Sequence, residues 1–65
     1  MKVLVKEIKR KKHLSLRQME IMTGVSKSQL ARIVSGKSSP TIHTLELIAK
    51  GLHLRISDLF DSPYK

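Results

Sequence analysis

Two short capping sequences, at Ser15 and Ser26, limit the possible folds of this chain more than any other feature. Each serine is followed three residues later by a glutamine, which is the pattern of a helix capping box. Gly24 and Gly36 then stand where the two helical stretches end, and glycine is the usual residue at such ends. Because a glycine in a short turn lets the second helix cross the first steeply, residues 15–36 are predicted to form a helix-turn-helix unit.

Apolar spacing predicts further helices on both sides of this unit. A first helix over residues 2–12 carries Leu4, Val5 and Ile8 on one side, and His13 is placed in a left-handed turn after it. A fourth helix runs from its cap at Thr41 to about residue 51, and a last helical turn covers residues 56–60. The side chains predicted to face inward are Met19, Met22, Thr23, Val25, Leu30, Ile33, Val34, Leu45, Ile48, Ala49, Leu52, Ile56, Leu59 and Phe60. We therefore expect one all-α, five-helix domain over residues 1–65, with a core from 4 to 60 and no strand.

The charge of the chain is strongly one-sided. The formal net charge is +8. Residues 1–37 carry all of it, because residues 38–65 hold Lys50, Arg55 and Lys65 against Glu46, Asp58 and Asp61. An uneven basic distribution indicates a polyanion partner, the alternative being an ordinary solvated cationic surface. A protein that stacks single-stranded bases is disfavoured, since Phe60 and Tyr64 are its only aromatic residues.

Other functional classes find little support in the sequence. The chain has no cysteine, and His13, His43 and His53 lack the spacing of metal ligands, so no metal or cofactor is expected. No nucleophile, base and orienting group can be assembled, so an enzyme is not expected. With no signal-peptide segment and no apolar run near the ~20 residues that span a bilayer, we expect a cytoplasmic protein without a membrane partner.

The polar side of the third helix carries residues suited to base edges in the major groove of DNA. Lys27, Ser28 and Gln29 lie in its first turn and Arg32 one turn later. Glutamine can pair with adenine, and arginine or lysine with guanine. The alternative is a helical hairpin whose polar face is only solvated.

A family resemblance makes this pattern more specific. Residues 14–19 read LSLRQM and residues 23–33 read TGVSKSQLARI; residues 35–42 (SGKSSPTI), 45–52 (LELIAKGL) and 56–60 (ISDLF) follow in order. These segments resemble the phage-repressor-like helix-turn-helix family, also called the xenobiotic-response-element or Cro/cI type. The resemblance covers about residues 5 to 60 and implies a five-helix domain whose third helix reads double-stranded DNA.

The resemblance also implies roles for individual residues. The base-reading positions fall on Lys27, Ser28, Gln29 and Arg32. The positions near phosphates fall on Lys9, Ser15, Leu16, Arg17, Ser26, Ser35, Lys37, Ser38 and Ser39. Phosphate contacts position such a protein, while base contacts specify the sequence.

Several positions depart from the family pattern. Leu16 replaces a polar residue at the start of the second helix, and Val34 replaces a glutamate, which leaves Lys9 available for phosphate. Glu20 replaces a small alanine, so its side chain must turn outward or find a basic partner such as Arg32. His13 and His53 replace glycines, and Arg55 replaces a better helix cap, each at a local cost of about 1 kcal/mol.

Together these features predict a sequence-specific transcriptional regulator, with repression the favoured mode. A homodimer is expected, since one 65-residue domain has a small DNA footprint. Its predicted surface consists of Leu52, Leu54, Ile56, Phe60 and Tyr64, unless these residues only complete the monomer core. The alternative function is a protein-binding module with a small protein partner, either the antitoxin of a toxin–antitoxin pair or a restriction–modification controller.

Overall fold

The computed structural model describes residues 2–64 and contains four α-helices around a single core. The elements in chain order are β1 (Lys2–Val3), α1 (Val5–Lys11), α2 (Leu16–Thr23), α3 (Lys27–Ser35), α4 (Ile42–Leu52), a 3₁₀ turn (Ile56–Asp58) and β2 (Phe60–Asp61). The all-α prediction is confirmed, although the fifth helix is one 3₁₀ turn.

The prediction that the chain has no strand is wrong. β1 and β2 pair antiparallel, with Lys2 opposite Asp61 and Val3 opposite Phe60. The Leu4 amide continues this contact by donating to the carbonyl oxygen of Leu59 at 2.8 Å. Because residues 2–3 are extended in this pairing, α1 begins at Val5 and not at residue 2.

The three helices from α2 to α4 begin at side-chain caps, as the sequence predicts. Ser15 Oγ accepts the Gln18 amide at 3.1 Å, and Gln18 Oε1 accepts the Ser15 amide at 2.8 Å, which completes the first capping box. Ser26 Oγ accepts the Gln29 amide at 3.2 Å, but the Gln29 side chain turns toward α4. Only half of the second predicted box therefore forms. Thr41 caps α4 through the Thr44 amide.

Left-handed residues end the helices or follow them at the predicted places. Gly24 and Gly36 have φ values of 77° and 80°. His13 and His53 adopt φ values of 55° and 58° without the freedom of glycine. Such conformations are uncommon for residues with a Cβ atom, so both histidines occupy positions better suited to glycine.

The core forms where α3 and α4 pack against α2, α1 packs against α3, and the 3₁₀ turn packs against α4. Its largest fully buried side chains are Val5, Met19, Leu30, Leu45, Ile48 and Leu59. Each contributes about 1.5–3 kcal/mol through the hydrophobic effect. Met22, which was predicted to face inward, exposes 43% of its surface because Met19 and Thr23 supply the buried side of α2.

α4 lies directly against the backbone of α2 at Gly51. A Cβ atom added to Gly51 would stand 2.3 Å from the Met22 carbonyl oxygen and 2.7 Å from Thr23 Cα. Gly51 therefore permits a close approach of α4 to α2.

Over residues 2–64, no helix is both long and apolar enough to cross a membrane. Within the same residues, no three side chains of His, Cys, Asp or Glu come together as a metal site would require.

Candidate nucleic-acid interface

The outer face of α3 presents a small set of exposed polar side chains. Lys27, Ser28 and Arg32 are exposed, while Gln29 is half-buried. Leu30 and Ile33 bury the opposite side of the helix in the core. The helix is thus amphipathic, and three of the four predicted base-reading side chains are open to a partner.

The turn between α2 and α3 is held by several local contacts. Thr23 Oγ1 donates to the Met19 carbonyl oxygen at 2.7 Å and accepts the Val25 amide at 3.2 Å. Gly24 supplies the left-handed conformation, and Val25 is buried. Since backbone, hydroxyl and apolar side chain all fix the same short segment, the direction of α3 relative to α2 is well defined.

Glu20 adds a second link between α2 and α3. Its Oε2 accepts the backbone amide of Lys27, the first residue of α3, at 2.7 Å. A carboxylate at a helix N-terminus accepts a hydrogen bond from a free N–H group and interacts favourably with the positive end of the helix dipole. Sequence analysis identified Glu20 as a departure from the family pattern and predicted that it faces solvent or pairs with Arg32. The structure shows that its partner is the Lys27 backbone amide instead.

Gln29 links α3 to α4. Its Nε2 donates to Thr44 Oγ1 at 3.3 Å, and Thr44 is almost fully buried. Sequence reasoning did not find Thr44, because the two residues are distant in the chain and only packing brings them together.

Most of the residues predicted near phosphates are exposed. Ser15 and Arg17 are exposed at the start of α2, and Leu16 is half-buried against the core. Ser26 caps α3, and the exposed Ser35 donates its hydroxyl to the Arg32 carbonyl oxygen. Lys37, Ser38 and Ser39 are exposed in the loop after α3.

Lys9 lies in a shallow groove between α1 and the end of α3. Lys6, Arg10 and His13 line the same groove, and Val34 forms part of its wall. No carboxylate within residues 2–64 pairs with Lys9, Lys27, Arg32 or Lys37; the Glu7 carboxylate lies 3.8 Å from Lys2 Nζ. The charges of these four side chains are therefore not neutralised by a carboxylate of the described residues and are available to an anionic partner.

The residues predicted for a dimer surface differ in what they can offer. Leu52 exposes only 4% of its surface and belongs to the monomer core, which leaves it almost nothing for an interface. Leu54, Ile56 and Phe60 are partly buried against that core. Tyr64, at 94% exposure, is the most accessible member of the set.

Comparison with known proteins agrees with this geometry. A family model described as helix-turn-helix matches residues 5–59. A curated relative, the HTH-type transcriptional regulator SutR of Escherichia coli (strain K12), is 37% identical over 59 residues, which cover 91% of this chain and 33% of the relative. This chain thus spans about a third of that relative's length. No solved structure matches this chain. The family match covers nearly the whole fold and includes the α2–turn–α3 unit, so the chain belongs to the phage-repressor-like helix-turn-helix family.

Proposed function

We propose that this protein is a transcriptional regulator that binds double-stranded DNA and reads the major groove with α3. The observation that carries the proposal is the exposed face of Lys27, Ser28 and Arg32 on a helix fixed at its N-terminus. The net charge of +8 supports a polyanionic partner. The relative of this chain is itself named a transcriptional regulator.

In this role α3 enters the major groove with its first turn leading. Lys27 and Arg32 suit the acceptor pair of guanine, and Gln29 suits adenine. The N-terminus of α2 presents backbone N–H groups near Ser15 and Arg17, which favours a phosphate there. Lys37 and the adjoining serines contact the DNA phosphate backbone on the other side of α3. These phosphate contacts set the register in which α3 meets the bases.

We further propose that the protein acts as a homodimeric repressor. One domain of this size contacts too few base pairs for high specificity, whereas two domains read two half-sites about one helical turn apart. Among the residues predicted for the dimer surface, Tyr64 is the most exposed and is the most accessible to a second copy. A dimer bound at a promoter would repress by occupying that site.

The test is selection of bound sites from a random duplex DNA library at physiological salt. An enriched inverted repeat with half-site centres about 10 bp apart is expected. Arg32→Ala should relax the preference at one position of each half-site. Lys50→Ala is the charge-matched control, because Lys50 is exposed beside Met22 and His53, away from α3. No enrichment with the wild-type protein, or equal effects of both variants, would refute the proposed reading.

One observation favours a second candidate, a protein-binding module such as an antitoxin. Ile21 and Met22 are consecutive residues of α2 that expose 73% and 43% of their surfaces. Contiguous exposed apolar side chains can mark a protein contact, although single ones are ordinary. If the selection yields only weak, salt-sensitive binding without a motif, the basic face is non-specific and this second candidate is favoured.

A further inference from the structure

We propose that Thr44 on α4 determines how Gln29 on α3 reads its base, by holding the side-chain amide of Gln29 in one orientation. The proposal rests on the proposed DNA-binding function. It assigns a positioning role to a residue that is itself almost fully buried. Thr44 therefore acts on DNA only through Gln29.

The contact joins two helices at the edge of the candidate interface. Gln29 Nε2 donates to Thr44 Oγ1 at 3.3 Å, across 15 residues of sequence. Gln29 is half-buried, and Thr44 exposes only 6% of its surface. The nitrogen end of the amide therefore faces the protein, while Oε1 has no hydrogen-bond donor within residues 2–64.

A second threonine supports this polarity. Thr41 Oγ1 accepts the Thr44 backbone amide at 3.1 Å and lies 3.1 Å from Thr44 Oγ1. Either hydroxyl can donate in this pair, and Thr41 Oγ1 can accept the single proton of Thr44, which leaves the Thr44 oxygen to accept from Gln29 Nε2. When Thr44 donates to Thr41, its oxygen can only accept from Gln29, and only the nitrogen end of the amide can donate to it.

This polarity matters because the two ends of a glutamine amide have opposite hydrogen-bonding character. With Nε2 held by Thr44 through one hydrogen, Gln29 offers an acceptor, Oε1, beside one remaining N–H donor. Adenine presents the complementary pair in the major groove, an N6 donor beside an N7 acceptor. A free amide could turn over and present these groups in the reverse order.

Holding the amide also reduces the entropy that binding would remove. A glutamine side chain loses much rotational freedom when it is fixed, and here part of that loss has occurred before DNA arrives. Thr44 should therefore increase discrimination at one base pair, while affinity for DNA in general changes little.

The experiment compares four proteins in selection from a random duplex library: wild type, Thr44→Val, Thr44→Ser and Gln29→Ala. Valine keeps the shape of threonine but removes the hydroxyl, whereas serine keeps the hydroxyl. Thermal unfolding of each variant verifies that it is folded. Gln29→Ala identifies the base pair that Gln29 reads. At that pair we expect Thr44→Val to lose about tenfold in discrimination, Thr44→Ser to retain it, and all other positions to be unchanged.

The outcomes separate this inference from the proposed function. If wild type enriches no motif, the DNA-reading function fails and this inference fails with it. If the motif is present and Gln29→Ala alters it but Thr44→Val does not, only the role of Thr44 is refuted. A motif unaffected by Gln29→Ala also overturns the inference. Equal losses in Thr44→Val and Thr44→Ser would assign the effect to packing and would overturn it as well.

Discussion

Replacing Gly51 with alanine should destabilise this protein, although alanine is the better helix former. The new Cβ would stand 2.3 Å from the Met22 carbonyl oxygen, 2.8 Å from the Met22 carbonyl carbon and 2.7 Å from Thr23 Cα. All three are backbone atoms, so no side chain can turn aside to make room. α4 must move away from α2 instead.

The expected size of the effect follows from two opposing contributions. Overpacking typically costs about 1–3 kcal/mol, and the backbone contact places this site at the upper end of that range. Alanine regains about 1 kcal/mol of helix propensity relative to glycine. The free energy of unfolding should therefore fall by about 2 kcal/mol, which lowers Tm by about 8–16 °C in a domain of this size.

Thermal and urea unfolding followed by circular dichroism would measure this loss. Glu46→Ala is the matched control, because Glu46 is exposed on the same helix and its replacement should change stability by no more than about 0.5 kcal/mol. A Gly51→Ala protein as stable as wild type would show that the backbones of α2 and α4 leave room for a Cβ atom at this position.

Three further substitutions test the interface and its supports. Glu20→Ala should lower the free energy of unfolding in urea by about 1 kcal/mol, because the Lys27 amide loses its charged acceptor. Glu20→Gln should recover part of this loss. Equal stability of Glu20→Ala and wild type would contradict the hydrogen bond between Glu20 and Lys27. His53→Gly should raise stability by about 1 kcal/mol in the same assay, because it relieves a left-handed conformation. Lys37→Ala should weaken binding to all duplexes alike and reduce the slope of log K against log salt by about 1, whereas Lys50→Ala should leave that slope unchanged.

The parts of this fold that sequence predicts well are those that depend on neighbours in the chain. The caps at Ser15, Ser26 and Thr41 and the left-handed residue Gly24 all follow from local hydrogen bonding and backbone sterics. Apolar spacing also identified most of the core, because the buried side of a helix repeats with its turn.

The parts that sequence missed depend on distant contacts. The β1–β2 pair joins the two ends of the described chain, and two-residue strands leave too short a pattern to detect. Met22 has the spacing of a buried residue, but Met19 and Thr23 supply the buried side of α2 and leave it exposed. Similarly, the second capping box was predicted complete because nothing local showed that Thr44 would compete for the Gln29 side chain.

The four predicted base-reading side chains differ in how free they are before DNA arrives, and this difference should shape the motif. Gln29 is held by Thr44, whereas Lys27 and Arg32 are exposed and must be ordered on binding. Ordering such a long side chain costs up to about 2 kcal/mol, which offsets part of each contact it makes. A held side chain also tolerates fewer bases, because it cannot turn to meet a different one. The information content of the selected sites should therefore be greatest at the base pair altered by Gln29→Ala and lower at the pair altered by Lys27→Ala. Greater information content at the base pair altered by Lys27→Ala would mean that the charge and length of the lysine side chain, and not the fixed amide of Gln29, dominate recognition by α3.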